Sequence, residues 1–190
     1  MNYCSECGAR VERVRIEADN KYRFYCAACD TIHYQNPKVL VSLYATWEDK
    51  ILWIRRNTQP HKGLWSAPSG YVEEDENLVV AAVRELEEET RAQVDVERVE
   101  LHMVGNLVHM NQIYVVFRAP LLKPEFETTE EASEVRLFAK EDFPFDEFAY
   151  PEVAANVQLI YDDLCSGKFA VYTGVLEDGR NTVRTVSEGE

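Results

Sequence analysis

Four of the five cysteines in this 190-residue chain, Cys4, Cys7, Cys26 and Cys29, form two C-x2-C pairs with 18 residues between them. At that spacing two knuckles can each present two thiolates to one tetrahedral ion, and zinc is the ion predicted. Two disulfides are the rival reading, a weak one because the first residues, MNYCSECGARVERVR, lack the apolar stretch of a secretory signal. Tetrahedral thiolates would also accept iron. Four thiolates leave no open coordination position, so the expected role of the zinc is structural. Residues 1–33 are accordingly read as a zinc ribbon, too short to hold together without its ion. RVRIE and KYRFY are expected as two short strands between the knuckles. Cys165 has no partner and is expected to be a small buried residue near a helix end.

Residues 34–190 are read as the main domain, long enough for a single core. Pro37 favours an extended entry into it. VLVSLYATW (39–47) and KILWIRR (50–56) are β-rich runs around Glu48-Asp49 and predict a hairpin. Residues 57–69 are rich in loop formers, with Trp65 expected as an anchor. Asn77 can cap a helix running to about Thr90, on which Leu78, Ala82 and Leu86 make an apolar stripe. Strands are predicted around 94–104, 112–118 and 134–138, a second helix over 151–166, and a last strand over 168–176. The polar tail after Gly179 is expected to be mobile. This order predicts an α/β fold, with a mixed sheet packed between helices.

The chemistry is concentrated in the first helix. Glu85, Glu88 and Glu89 stand at i, i+3 and i+4 and share one face, and Arg84 can hold the Glu88 carboxylate. Like charges so placed destabilise an isolated helix by about 0.2–0.5 kcal/mol per pair. Either the face is merely solvated, or something positive binds there. Oxygen-only ligands select hard cations, and Mg²⁺ (or Mn²⁺) takes a few carboxylates together with waters and substrate phosphate oxygens. The net charge of −14, from 34 Asp+Glu against 20 Lys+Arg, opposes passive binding to nucleic acid. It leaves open a phosphorylated small molecule reached through metal. No apolar run approaches the roughly 18–20 residues of a membrane span, so no membrane partner is expected and the cytoplasm is the expected location.

Gly70, five residues, Glu76, seven residues, then Arg84-Glu85-Leu86-Glu87-Glu88-Glu89 resembles the Nudix box, G-x5-E-x7-R-E-U-x-E-E-x-G-U with U aliphatic. The chain departs from it at the end, where Arg91 replaces the late glycine and Ala92 the last aliphatic residue. That glycine ends the helix, so the departure bears on the local turn more than on the chemistry. HYQNPKVLVS, RRNTQPHKGLWSAPSGYVE and EVRLFAKEDFPFDEFAY are similar to the zinc-ribbon branch of Nudix hydrolases. The resemblance therefore runs from Cys4 to about Thr173. It implies a Nudix α/β/α sandwich preceded by the ribbon, and Mg-dependent hydrolysis of a nucleoside diphosphate linked to another moiety. Carried over to this chain, Glu85, Glu88 and Glu89 are the magnesium ligands and Arg84 their orienting partner, with Glu76 a lesser candidate. Ser69 and Gly70 could offer a backbone carbonyl. The resemblance also implies a general base from a later loop, for which Glu131 and Glu134 are the candidates against ordinary loop solvation. Arg56, or else Arg55, would meet a phosphate oxygen. His61 and His109 are expected to be surface or polar-pocket residues.

The chain has no S-Q-P-W-P-F-P-x-S stretch like that of NADH pyrophosphatases. GNLVHMN (105–111) also lacks the proline often found there in ADP-ribose pyrophosphatases. The flanking segments most resemble FAD and ADP-ribose pyrophosphatase relatives. The expected reaction is hydrolysis of ADP-ribose or FAD to AMP and a phosphorylated product. An NADH pyrophosphatase or a nucleotide triphosphate cleansing enzyme is the alternative, and a non-catalytic Nudix-like ligand sensor regulating transcription is an alternative of another class. Trp65, Tyr71 and Tyr114 are candidates for a wall against the base, though each is expected sooner in the core. A homodimer is an expectation from the resemblance alone.

Overall fold

A computed structural model describes residues 1–186 and divides the chain into two compact units, Met1–Pro37 and the residues from Lys38 onward. The first is a three-stranded antiparallel sheet of β1 (Glu12–Ile16), β2 (Lys21–Cys26) and β3 (Thr31–His33), with β2 in the middle. Its cysteine loops precede β1 and follow β2. In the first loop Gly8 takes φ +74° and its N–H meets the Cys4 carbonyl at 3.0 Å.

The second unit is built on β4 (Lys38–Trp47), β5 (Lys50–Arg56), β6 (Trp65–Ser66), β7 (Ser69–Tyr71), β8 (Glu100–Leu107), β9 (Gln112–Pro120), β10 (Ala132–Phe138), β11 (Tyr172–Glu177) and β12 (Arg180–Thr185). Helices α1 (Leu78–Thr90) and α2 (Ala154–Ser166) complete it. The sheet runs β10-β5-β4-β9-β8-β11-β12 and is mixed: β4 with β9 and β8 with β11 are parallel, the other neighbours antiparallel. The second half of β4 turns into β5, while its first half pairs with β7.

Both faces of the central strands are covered, which is why β4 and β5 read as nearly unbroken apolar runs. Val41, Leu43, Ala45, Leu52 and Ile54 pack with Ala81, Ala82 and Leu86 of α1. On the other face Tyr44, Ile51 and Trp53 pack with Val157, Ile160 and Tyr161 of α2. Trp53 Nε1 donates to Tyr161 Oη at 2.9 Å, and that hydroxyl donates to the Phe138 carbonyl at 3.0 Å, so the aromatic core keeps its polar tips paired. The α/β/α sandwich expected from the element order is the one observed.

Several boundaries differ from expectation. Val96–Arg98 is a 3-10 turn capped by Asp95, and β8 begins only at Glu100. Pro151–Val153 is likewise a 3-10 turn ahead of α2, and the strand expected from 168 begins at Tyr172. The tail expected to be mobile after Gly179 instead forms β12, paired along its length with β11. Asp178 and Gly179, at φ +50° and +72°, make the two-residue turn that such a hairpin requires. Residues 187–190 lie outside the described part. Cys165 is exposed at the end of α2, not buried. Among the described residues no helix is long and apolar enough to cross a membrane.

Candidate active site

Helix α1 starts where Asn77 Oδ1 accepts the Val79 and Val80 N–H groups, at 3.1 and 3.0 Å. Its apolar stripe faces the sheet and so turns the glutamate face toward β7. Ser42 Oγ donates to the Pro68 carbonyl at 2.8 Å and fixes the entry to β7. The Ser69 N–H then donates to Glu89 Oε2 at 2.9 Å, and the Tyr71 carbonyl accepts Arg84 Nη2 at 3.1 Å. Gly70 lies between these contacts. A Cβ there would sit 2.1 Å from Glu85 Oε1, so β7 can lie against Glu85 only without a side chain.

Arg84 organises the cluster. Its Nε and Nη2 donate to the two oxygens of Glu76 at 3.0 and 2.8 Å, a fork that holds the Glu76 carboxyl down near a pKa of about 2. Its Nη1 donates to Glu85 at 2.7 Å and to Glu88 at 3.0 Å. Glu89 lies apart from it and is only 5% exposed. Burial pushes its carboxyl up to about 8, assisted by the Glu85 and Glu131 charges and only partly offset by the Ser69 N–H. Burial raises Glu85 as well. Arg84 brings a single positive charge to three carboxyls, Glu76, Glu85 and Glu88, so the cluster keeps an excess of negative charge. Oxygen donors of this kind are those a hard divalent cation takes, and Glu85, Glu88 and Glu89 could offer them, although among the described residues only the four cysteines already converge closely enough to hold an ion.

A cavity of about 580 Å³ borders this face. Arg56, Gly70, Arg84, Glu85, Glu88 and Glu131 line it. The half-buried rings of Tyr114 and Tyr150 line it too and give it an aromatic part, while Tyr44, Trp53 and Phe148 beside it are core. Tyr71 and His61 belong to the lining, with the His61 ring edge-on to Tyr150 at 5.0 Å. Other candidates are placed elsewhere. Arg55 Nε meets Glu134 at 3.1 Å, its Nη2 meets Glu147 at 2.6 Å, and its guanidinium lies over Trp65. Glu134 also meets Arg136 at 3.0 Å. Trp65 is core, and His109 is exposed in a 3-10 turn. The cavity also draws on His102, Gly105, Asn156, Gly174 and Asn181. None of these stands out in the sequence except as a glycine inside a strand.

In the first unit the four cysteine sulfurs lie within 4.8 Å of one another and no disulfide joins them. Cys4 to Cys29 is 3.6 Å and Cys7 to Cys26 is 3.5 Å. Zinc at about 2.3 Å from each of four sulfurs would set them about 3.8 Å apart, so the cluster fits that ion. His33 Nε2 lies 3.2 Å from Cys4 Sγ, in place to donate to a ligand thiolate.

Fold and sites together define an α/β/α Nudix-type domain accompanied by a four-thiolate ribbon. The chain belongs to the Nudix family: the NUDIX domain matches residues 36–158, and the Nudix N-terminal zinc-ribbon family matches residues 2–35. A crystal structure of a Nudix hydrolase from Nitrosomonas europaea is similar over 92% of this chain and 98% of that one, at 38% identity and a TM-score of 0.86. An NAD-capped RNA hydrolase, NudC, of Photobacterium profundum is 29% identical over 94 residues, 50% of this chain. An ADP-ribose pyrophosphatase of Methanocaldococcus jannaschii is 42% identical over 57 residues, 30% of this chain. The match spans 34% of the length of each of these two relatives.

Proposed function

We propose that this chain hydrolyses the diphosphate linkage of a nucleoside diphosphate derivative, ADP-ribose or FAD before others, to AMP and a phosphorylated product. The observation that carries this reading is a single cavity with two kinds of lining. One is carboxylates and arginines suited to metal and diphosphate, the other the half-buried rings of Tyr114 and Tyr150, suited to a planar base. Bound Mg²⁺ would supply charge neutralisation and a more acidic water. Glu85, Glu88 and Glu89 would hold it, with Arg84 fixing the first two of them. Arg56 pairs with a phosphate oxygen. Glu131, on the cavity wall, accepts the proton of the attacking water as one P–O bond forms and the bridging P–O bond breaks. Glu134, the other candidate for the base, pairs with Arg55 at the end of β5 and with Arg136. The zinc is structural, and the acting species is expected to be a homodimer.

A hydrolysis screen over FAD, ADP-ribose, NADH, diadenosine polyphosphates and dNTPs, with and without EDTA, tests this. AMP released from ADP-ribose or FAD only in the presence of Mg²⁺ supports it. A preference for NADH, or pyrophosphate released from dNTPs, removes the substrate assignment and keeps the metal chemistry. Binding without turnover of any compound favours the ligand sensor.

A further inference from the structure

The part of the cavity over β8 and β11 contains two glycines that no positive φ requires. Gly105 of β8 and Gly174 of β11 are direct partners in the parallel ladder, and Gly105 is paired on its other side with Tyr114 of β9. All three line the cavity. Residues paired across neighbouring strands face the same side of a sheet, so the row Tyr114–Gly105–Gly174 leaves two adjacent positions with bare backbone. The ladder between β8 and β11 runs without a shift from Tyr172–Met103 to Leu176–Leu107, so no bulge explains the glycines. Neither has a positive φ. Added Cβ atoms would find nothing nearer than 3.7 Å, an ordinary contact. A glycine inside a strand weakens it and commonly marks close approach of a ligand.

From this geometry we propose that Gly105 and Gly174 form a flat floor on which the planar heteroaromatic ring of the substrate lies, bounded by Tyr114. The inference rests on the reading of the substrate as a nucleotide derivative. From Tyr114 across both glycines to β12 is three strand spacings, about 14 Å, wide enough for a bicyclic base or a larger ring system. Rows of larger side chains flank the floor, Met103 on one side and Leu107 with Leu176 on the other. Asn181 Nδ2 donates to Asn156 Oδ1 at 2.8 Å and ties β12 to α2 at the cavity wall. The remaining capacity of this amide pair can read the edge of a ring. Half of the floor comes from the β11–β12 hairpin, beyond the stretch matched by the NUDIX domain. Ring selectivity is thereby separated from the metal site on α1.

The test uses the full chain in Mg²⁺ and measures binding of AMP, FMN and ribose 5-phosphate to the wild type, Gly105→Val and Gly174→Val, alongside melting temperatures. AMP or FMN should bind the wild type more tightly than ribose 5-phosphate, and the valine variants should weaken that binding about tenfold or more, the scale of a lost stacking contact. If a valine variant folds poorly, the corresponding alanine variant carries the measurement. The proposal is overturned if ring compounds bind the folded variants as tightly as the wild type, or if the wild type prefers neither ring compound to ribose 5-phosphate. Turnover of ADP-ribose and FAD by the wild type is followed separately. Ring-dependent binding without turnover would remove the hydrolase reading and leave the floor standing.

Discussion

A Cβ on Gly70 would lie 2.1 Å from Glu85 Oε1 and 2.2 Å from its carboxyl carbon, so the Glu85 carboxylate occupies the space a side chain at position 70 would fill. Gly70→Ala must displace either the Glu85 carboxylate or a strand anchored to β4. A shift of about 1 Å in a reacting group can cost on the order of a hundredfold in rate. Activity is therefore expected to fall by about that factor, with about 1–3 kcal/mol of destabilisation from overpacking. Initial rates across a Mg²⁺ titration, with a thermal melt, check this; a well-folded alanine variant with normal rates refutes it.

Glu88→Gln and Glu89→Gln should each lower kcat by roughly two orders of magnitude, the scale seen when one charge-stabilising group is lost. Their stabilities should differ. Glu89 is buried, and a glutamine there removes the cost of desolvating a carboxyl that is ionised in the unfolded chain, while still accepting the Ser69 N–H. Metal-free Glu89→Gln is thus expected to melt at or above the wild type. Comparing melts in EDTA with rates in Mg²⁺ separates the two effects.

His102 makes stability depend on pH. It is 1% exposed and neither ring nitrogen has a hydrogen-bond partner. Asp163 Oδ2 is 4.0 Å away, and the rings of Tyr44 and Tyr172 face it. Burial lowers its pKa to about 4, against the pull of Asp163 and with help from Arg118. The unfolded chain therefore takes up this proton first as pH falls. The contribution is complete above about pH 6.5 and is lost progressively toward pH 4, amounting to roughly 3 kcal/mol there. Denaturant melts from pH 8 to pH 4 should fall less steeply for His102→Leu than for the wild type. Equal slopes would contradict the assignment.

Arg91 ends α1 at φ +59°, with its N–H on the Glu87 carbonyl at 2.8 Å. A left-handed conformation costs a residue with a Cβ about 1–2 kcal/mol, and glycine takes it freely. Arg91→Gly should stabilise the protein by about 0.5–1 kcal/mol after glycine's own entropy cost. Equilibrium unfolding measures it, and a destabilised variant would count against the strain.

Purified protein should carry about one zinc per chain on the four thiolates. Cys26→Ser or a strong chelator should unfold the first unit while the second keeps its own melting transition, because the two are separate compact units and the apolar clusters lie in the second. His33→Phe should retain the metal about tenfold less well, the usual scale for losing a group that orients a ligand. Zinc-release kinetics read this directly. Absence of tightly bound metal from the wild type would remove the site.

Local signals determined much of this protein. The cysteine spacing specified the four-sulfur cluster, Asn77 and the Leu78–Ala82–Leu86 stripe specified α1 and its acidic face, and the i,i+4 relation put Arg84 on Glu88. Even β12 is legible in Asp178-Gly179, a hairpin turn signal, although the residues beyond it are polar. Each of these depends on neighbours within a turn or two of chain. Tertiary structure decided the rest. It drew Glu76 into the Arg84 fork, buried Glu89 against β7, engaged Arg55 with Glu134 and Glu147, and left Arg56 and Glu131 on the cavity. It also set Gly105 beside Gly174, residues 69 apart in sequence. Burial and pairing across a mixed sheet are properties of strand order, and strand order is set by the whole core at once, beyond the reach of any single stretch of residues.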